Sequence, residues 1–244
     1  MDDDIISDPA LNVGEYAISE EIDNESIDEG GFDVGDNFFQ ESEIHSTQSA
    51  RMAVRCLLRV AELNDRNTYR HLNRVAIIAD AIAREMKNIE SSAPVRLAGL
   101  LHDIGKICIP FKLLGKADRL SENEMNLLQE HVEKGCDILE NIEFPWPVNE
   151  VVKQHHERVD GSGYPLGLSG KQICIEARIL AVADTLDAMS YQRPWRPGMG
   201  IGHSLEKMIS DGLEGYDDEV IAVCRETFKS KGNDIRRMLK HYDD

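Results

Sequence analysis

Five histidines and two carboxylates expected on inward helix faces are candidates to bind metal ions: His71, His102, Asp103, His131, His155, His156 and Asp184. The sharpest local signal is Leu100-Leu101-His102-Asp103-Ile104-Gly105-Lys106, where an apolar run stops at an adjacent imidazole and carboxylate and a cation follows three residues on. Buried charge is costly without a partner, and a bound metal is an economical one. Each histidine alone reads better as a hydrogen-bonded core residue, but seven such groups on separate segments are hard to explain that way. Mixed imidazole and carboxylate ligands suit iron, manganese, zinc or nickel rather than an ion that prefers oxygen alone. Seven are too many for one metal that keeps open positions. They are about right for two ions roughly 3.5–4 Å apart sharing a carboxylate.

Helices must position these groups. Apolar residues recur at helical spacing from Gln48 to Leu63, and again from about Thr68 to Lys87, with His71 on the stripe of Val75, Ile78 and Ile82. Pro94 suits the first turn of a third helix ending at His102-Asp103. Ser121-Glu122-Asn123-Glu124 reads as a capping box, and the helix it opens is expected to run through Leu127, His131, Val132 and Leu139. Pro145 and Pro147 precede a segment that places Val148, Val151, Val152 and His155 on one face. Gly161, Gly163, Pro165, Gly167 and Gly170 then make an irregular loop. The stretch from about Gln172 is apolar on every side of Asp184, as in a central buried helix. Three short helices are expected around 203–211, 217–230 and 233–241. No strand pattern is found, so the fold class is all-α.

The chain holds 27 Lys and Arg against 45 Asp and Glu, a net charge of −18, but the charge is unevenly spread. Residues 1–44 carry fifteen acids and no Lys or Arg, which leaves 27 basic against 30 acidic residues in the other 200. A near-neutral body excludes a nucleic-acid polymer as a compositional expectation. Residues 1–45 are expected to form a disordered acidic tail and residues 46–244 the folded domain, because the tail cannot bury enough apolar area to offset its ordering entropy. The tail leaves open a protein partner, and a homodimer is equally open. No stretch is apolar enough for a membrane span, and the N-terminal Met-Asp-Asp-Asp is unlike a secretory leader. The five scattered cysteines read as reduced thiols in a cytoplasm.

With His102-Asp103-Ile104-Gly105-Lys106, His155-His156-Glu157-Arg158-Val159-Asp160-Gly161-Ser162-Gly163-Tyr164-Pro165, Val182-Ala183-Asp184 and Arg193-Pro194-Trp195-Arg196, the sequence resembles the HD-GYP family, a bacterial branch of the HD phosphohydrolases, over about residues 50 to 230. The resemblance implies a helical HD-type domain that hydrolyses cyclic di-GMP to pGpG, or onward to GMP, using two divalent ions, iron or manganese. It further implies that His71, His102, Asp103 and Asp184 hold one ion. Asp103 would bridge to a second held by His131 and His155, with His156 close by. Lys106 would lie at the scissile phosphate, Tyr164 would line the nucleotide pocket, Asp187 would reach the nucleotide, and Arg193 and Arg196 would pair with phosphate oxygens. Paired cations would neutralise the anionic diester and ready a water for attack. Trp195 stands where the family usually has Tyr. Some members carry a Glu four residues before the first histidine for a third metal. Here that position is Asn67, a poor ligand, which implies a binuclear site. The competing readings are a non-catalytic signalling module and a hydrolase of another cyclic dinucleotide.

Overall fold

The computed structural model describes residues 46–192, 197–210 and 215–243, and among these there is no strand, only an isolated bridge between Asp160 and Ser169. The helices are α1 (Ser46–Asn64), α2 (Arg66–Ala83), α3 (Ala93–Leu101), α4 (Phe111–Leu114), α5 (Glu122–Gln129), α6 (His131–Leu139), α7 (Val148–Gln154), α8 (Ile175–Ser190), α9 (Ile201–Ser210) and α10 (Asp218–Leu239). The all-α expectation holds. No helix among the described residues is long and apolar enough to cross a membrane. The acidic tail, the Arg193–Arg196 run and residues 211–214 lie outside the described residues.

Two helices form the middle of the domain. Asp65 caps α2 by accepting from the backbone N–H groups of Asn67 and Thr68, satisfying donors that a helix start leaves open. The helix then packs on α1, α3, α8 and α10. Leu72, Val75, Ile78, Ala79 and Ile82 are fully or nearly fully buried along it. The second central helix is α8, whose Ile179, Leu180, Val182, Ala183 and Leu186 are all sealed from solvent. That matches its near-uniform apolar sequence.

Two expectations need correction. The segment opened by Ser121 has its capping box with Glu124, but it does not run unbroken to Leu139. It breaks at Glu130, where the Leu128 carbonyl accepts from the Glu130 N–H and also from the His131 imidazole. At the other end, the two short helices expected between 217 and 241 are one helix of 22 residues followed by a short 3-10 turn, Lys240–Tyr242. Gly232 costs the helix about 1 kcal/mol in propensity. The buried stripe of Val220, Cys224, Phe228, Ile235 and Leu239 outweighs it.

One close approach sets the site's scale. After α3 the chain turns through a 3-10 segment, Ile104–Cys108, that lies against α6. A Cβ on Gly105 would come within 2.0 Å of the His131 carbonyl oxygen and 2.5 Å of the Gly135 nitrogen. Glycine here lets the Asp103 turn and the start of α6 meet backbone to backbone. Gly105→Ala should therefore push the two apart and destabilise the fold by about 1–3 kcal/mol, as overpacking does. A urea midpoint lowered with unchanged m-value checks it.

Candidate metal centre

Five helices or their ends deliver the seven ligand candidates to one place. His71 lies on α2, His102 and Asp103 follow α3, His131 opens α6, His155 and His156 end α7, and Asp184 lies on α8. His71, His102, Asp103, His131 and His155 are each at most 2 % exposed. His156 and Asp184 are half-buried. The inward orientation expected for His71 and His131 is found.

Three rings are aimed by the same local device. Nδ1 of His102, His131 and His155 lies 2.9, 2.7 and 2.5 Å from the carbonyl oxygens of Gly99, Leu128 and Val152, each three residues earlier. With Nδ1 donating to a carbonyl, Nε2 is the lone-pair nitrogen, and it points into the shared centre. His71 is aimed differently. Its Nδ1 is 2.6 Å from Asp187 Oδ2, while its Nε2 lies 3.2 Å from Asp184 Oδ1 and 3.4 Å from Asp103 Oδ2. Asp184 and Asp187 are three residues apart on α8, so both reach one imidazole from one helix face.

Asp103 sits between two groups of ligands. Its Oδ2 lies 3.4 Å from Nε2 of both His71 and His102, and its Oδ1 lies 3.2 Å from Nε2 of His131. Two sets of residues are close enough to hold an ion each: His71, His102 and Asp103, and Asp103, His131, His155 and His156. Four buried atoms at this centre, His102 Nε2, Asp103 Oδ1, His131 Nε2 and His155 Nε2, make no hydrogen bond. Such orphans are costly in a packed interior. They are lone-pair atoms facing one another, which is the donor set a divalent transition ion needs, so the residues present fit metal binding.

The electrostatics agree. Burial, helped by the neighbouring His156, His102 and His131, pushes the His155 imidazole well below its ordinary value, and burial brings His156 down to about 3. Both are therefore neutral, as metal ligation requires. Burial works to raise Asp103, but Lys106 and His102 outweigh it and hold the carboxyl well below 3.8. In Asp184 the same burial is outweighed by the hydrogen bond and charge of His71. Lys106 reaches Asp103 because a 3-10 turn places residues three apart on one side, and its N–H bonds the Asp103 carbonyl at 2.9 Å.

A pH dependence of the metal-free fold follows. His155 and His156 are depressed in the folded state, so unfolded imidazoles take up protons first, and stability falls as pH drops below 6.5. Asp103, Asp184 and Asp187 are also depressed, and their contribution, complete above about 4, is lost as pH falls further. Thermal unfolding of EDTA-treated protein should show a Tm that declines from pH 6.5 and more steeply below about 4.

Around the centre, the Tyr164 ring stacks on His156, centroids 4.7 Å apart and planes 28° from parallel. The loop that carries Tyr164 is held by Glu157, only 2 % exposed, which accepts from the N–H groups of Leu166 at 2.6 Å and Leu168 at 2.9 Å. Glu157 sits inside the sequence motif, but no periodicity marks it as a loop organiser. The expectation for Asp187 is overturned. It is fully buried, and its oxygens are taken by His71 at 2.6 Å and by Arg74 at 2.7 and 3.2 Å, so it stands behind His71 and away from solvent. Arg74, which the sequence did not single out, also donates to the Tyr242 carbonyl at 2.9 Å. Lys106, bonded to Asp103, and Tyr164, stacked on His156, border the centre. Arg193 and Arg196 lie outside the described residues.

A helical bundle whose ends bring imidazoles and carboxylates to one buried point defines an HD-type domain. The HD domain profile matches residues 55–220, and the chain belongs to that family, with the motifs of its HD-GYP branch. It is 39% identical over 168 residues to a cyclic di-GMP phosphodiesterase response regulator of Xanthomonas campestris pv. campestris, covering 68% of this chain and 44% of that protein. To 3′3′-cGAMP-specific phosphodiesterase 1 of Vibrio cholerae it is 35% identical over 150 residues, covering 61% of this chain and 35% of the relative. The chain thus spans a third to under half the length of these relatives. Among solved structures, an HD-GYP-like protein of Bdellovibrio bacteriovorus superposes with a TM-score of 0.55 at 21% identity, covering 75% of this chain and 62% of the other, which shows the shared fold.

Proposed function

We propose that this chain is a metal-dependent phosphodiesterase that hydrolyses cyclic di-GMP at a binuclear centre, with pGpG as the main product. The observation that carries this reading is the set of buried, unpartnered atoms on His102, Asp103, His131 and His155, facing one another beneath Lys106. His71, His102, Asp103 and Asp184 would hold one ion, and His131, His155 and His156 the other, with Asp103 common to both. The names of relatives at 35–39% identity support the substrate class. When bound, the two divalent ions, iron or manganese, neutralise the diester and acidify a water for attack on phosphorus.

The chain's own residues do the rest. Lys106 offers its ammonium to a non-bridging phosphate oxygen as negative charge develops there, an interaction worth most in a dry site. Tyr164, seated on His156, borders the place of the sugar and base. Arg193 and Arg196 supply guanidinium donors to the phosphates. Asn67, in place of a carboxylate, supplies no ligand for a third ion, which favours release after the first cut. Such a substrate places the reaction in the cytoplasm.

The test is to load the protein with Mn²⁺ or Fe²⁺, add cyclic di-GMP and separate products by chromatography. Accumulation of pGpG ahead of GMP is expected. Intact cyclic di-GMP after incubation with protein carrying two ions per chain would leave the signalling-module reading in its place.

A further inference from the structure

Residues 215–217, which lead into α10, bind both α8 and the loop that follows α7. Asp217 caps α10 and also pairs with Arg178 of α8 at 2.5 Å. The Tyr216 hydroxyl lies 2.7 Å from Thr185 Oγ1, one residue beyond Asp184 on α8. On the other side the Gly215 carbonyl accepts from the Val159 N–H at 2.9 Å. The Arg158 guanidinium lies over the Tyr216 ring, 4.5 Å from its centroid. Gly215 has a φ of 89°, and a Cβ there would sit 3.2 Å from the Asp160 carboxylate and 3.3 Å from Arg158 Cβ, so the two loops meet closely.

Arg158 turns this contact toward the ligands. The α7 helix has only seven residues, and the carbonyls at its end need partners that the helix cannot supply. The Val152 carbonyl meets the His155 ring, and the Gln154 carbonyl accepts from the Glu157 N–H at 2.9 Å. Those of His155 and Glu157 both accept from one nitrogen of Arg158, at 3.3 and 2.9 Å. The backbone that carries His155 and His156 is therefore gripped by a side chain whose charged face rests on Tyr216. A planar guanidinium suits this double duty, since it donates within its plane while its face stacks on a ring. On the His71 side, Asp187 and Arg74 brace an imidazole nitrogen; here the brace acts on the main chain of the ligands.

Resting on the binuclear reading, we propose that Arg158 and Tyr216 are positioning residues for the ion held by His131, His155 and His156, with Thr185 fixing the ring on which Arg158 lies. They act through the placement of His155 and His156 relative to Asp103. Metal–ligand distances tolerate only about 0.2 Å of error, so a small shift of the α7 end is felt at the ion.

The test is Mn²⁺ binding to the EDTA-treated full chain, followed by calorimetry for wild type, Arg158→Met, Arg158→Lys and Tyr216→Phe. Arg158→Met keeps the length of the side chain and removes its donors. It should weaken one of two ions by roughly tenfold and leave the other within about twofold. Arg158→Lys, which keeps a donor and a cation for the ring, should recover most of that affinity. Tyr216→Phe keeps the ring and loses only the bond to Thr185, so it should weaken the same ion by about threefold, the worth of one ordinary hydrogen bond. It decides alone if Arg158→Met does not fold. Combined with His71→Ala, the loss in each variant should persist; combined with His156→Ala, it should shrink to within about twofold. Turnover of cyclic di-GMP lost at low Mn²⁺ should return at saturating Mn²⁺. A merely structural brace would lower Tm and leave both ions bound as in wild type, or weaken both alike, and either result overturns the proposal. Wild type that binds two ions yet hydrolyses no cyclic di-GMP removes the phosphodiesterase reading, and the ion affinities still decide the brace. Wild type that binds no Mn²⁺ removes both.

Discussion

Asp103→Ala should reduce turnover of cyclic di-GMP by about 10³-fold or more, the loss expected when several kcal/mol of charge stabilisation disappears. Among the ligand candidates Asp103 alone belongs to both groups of residues close enough to hold an ion. Its two oxygens face in two directions, one toward His71 and His102 and the other toward His131. Losing it therefore differs from losing a terminal ligand. His71→Ala is expected to release the ion on its own side first, whereas Asp103→Ala should weaken both. Metal content of desalted protein, measured by elemental analysis, separates the two cases. A variant that retains two ions per chain and turns over normally would show that the carboxylate does not lie between them. Asp103→Asn is the useful companion, since it keeps the volume and removes the charge that Lys106 pairs with.

The clustering of the candidate ligands was legible in the sequence because each carries a chemical demand that a packed core does not make. His71 and His131 fell on apolar stripes and are indeed buried, and the apolar surroundings of Asp184 placed α8 near the middle of the domain. The second layer was far less legible. Arg74 reads as one more basic residue of a helix, and nothing local says that its partner lies 113 positions away. Asp187 shares a face with Asp184, and spacing alone cannot decide whether that face meets substrate or the back of a ligand. The distinction lies in where α2 crosses α8, a tertiary fact. The break at Glu130 has the same origin. The Leu128 carbonyl serves a helix turn in the sequence pattern but is recruited to aim His131 in the folded chain. Helix ends were blurred wherever a backbone group had been lent to the site.

Arg74→Ala tests that second layer most severely. Asp187 is wholly buried, and its carboxyl is held below the ordinary value because His71 and Arg74 together overcome the effect of burial. Removing the guanidinium leaves a buried carboxylate without its cation, a change that costs about 3–5 kcal/mol. In a domain of this size that corresponds to a Tm lower by roughly 10 °C. The substitution also frees the Tyr242 carbonyl and the Tyr191 ring, so loss of the C-terminal turn should accompany it. Asp187→Asn isolates the other half of the relay. An amide can still meet the His71 Nδ1–H with its oxygen, but without the charge that makes the imidazole a stronger ligand. Metal affinity should fall by about 10–100-fold, the usual effect of removing an outer carboxylate partner. Were Asp187 a nucleotide contact, the signature would be reversed, with KM for the dinucleotide raised and metal affinity intact. Its position, 2.6 Å from His71 and sealed from solvent, requires the first outcome.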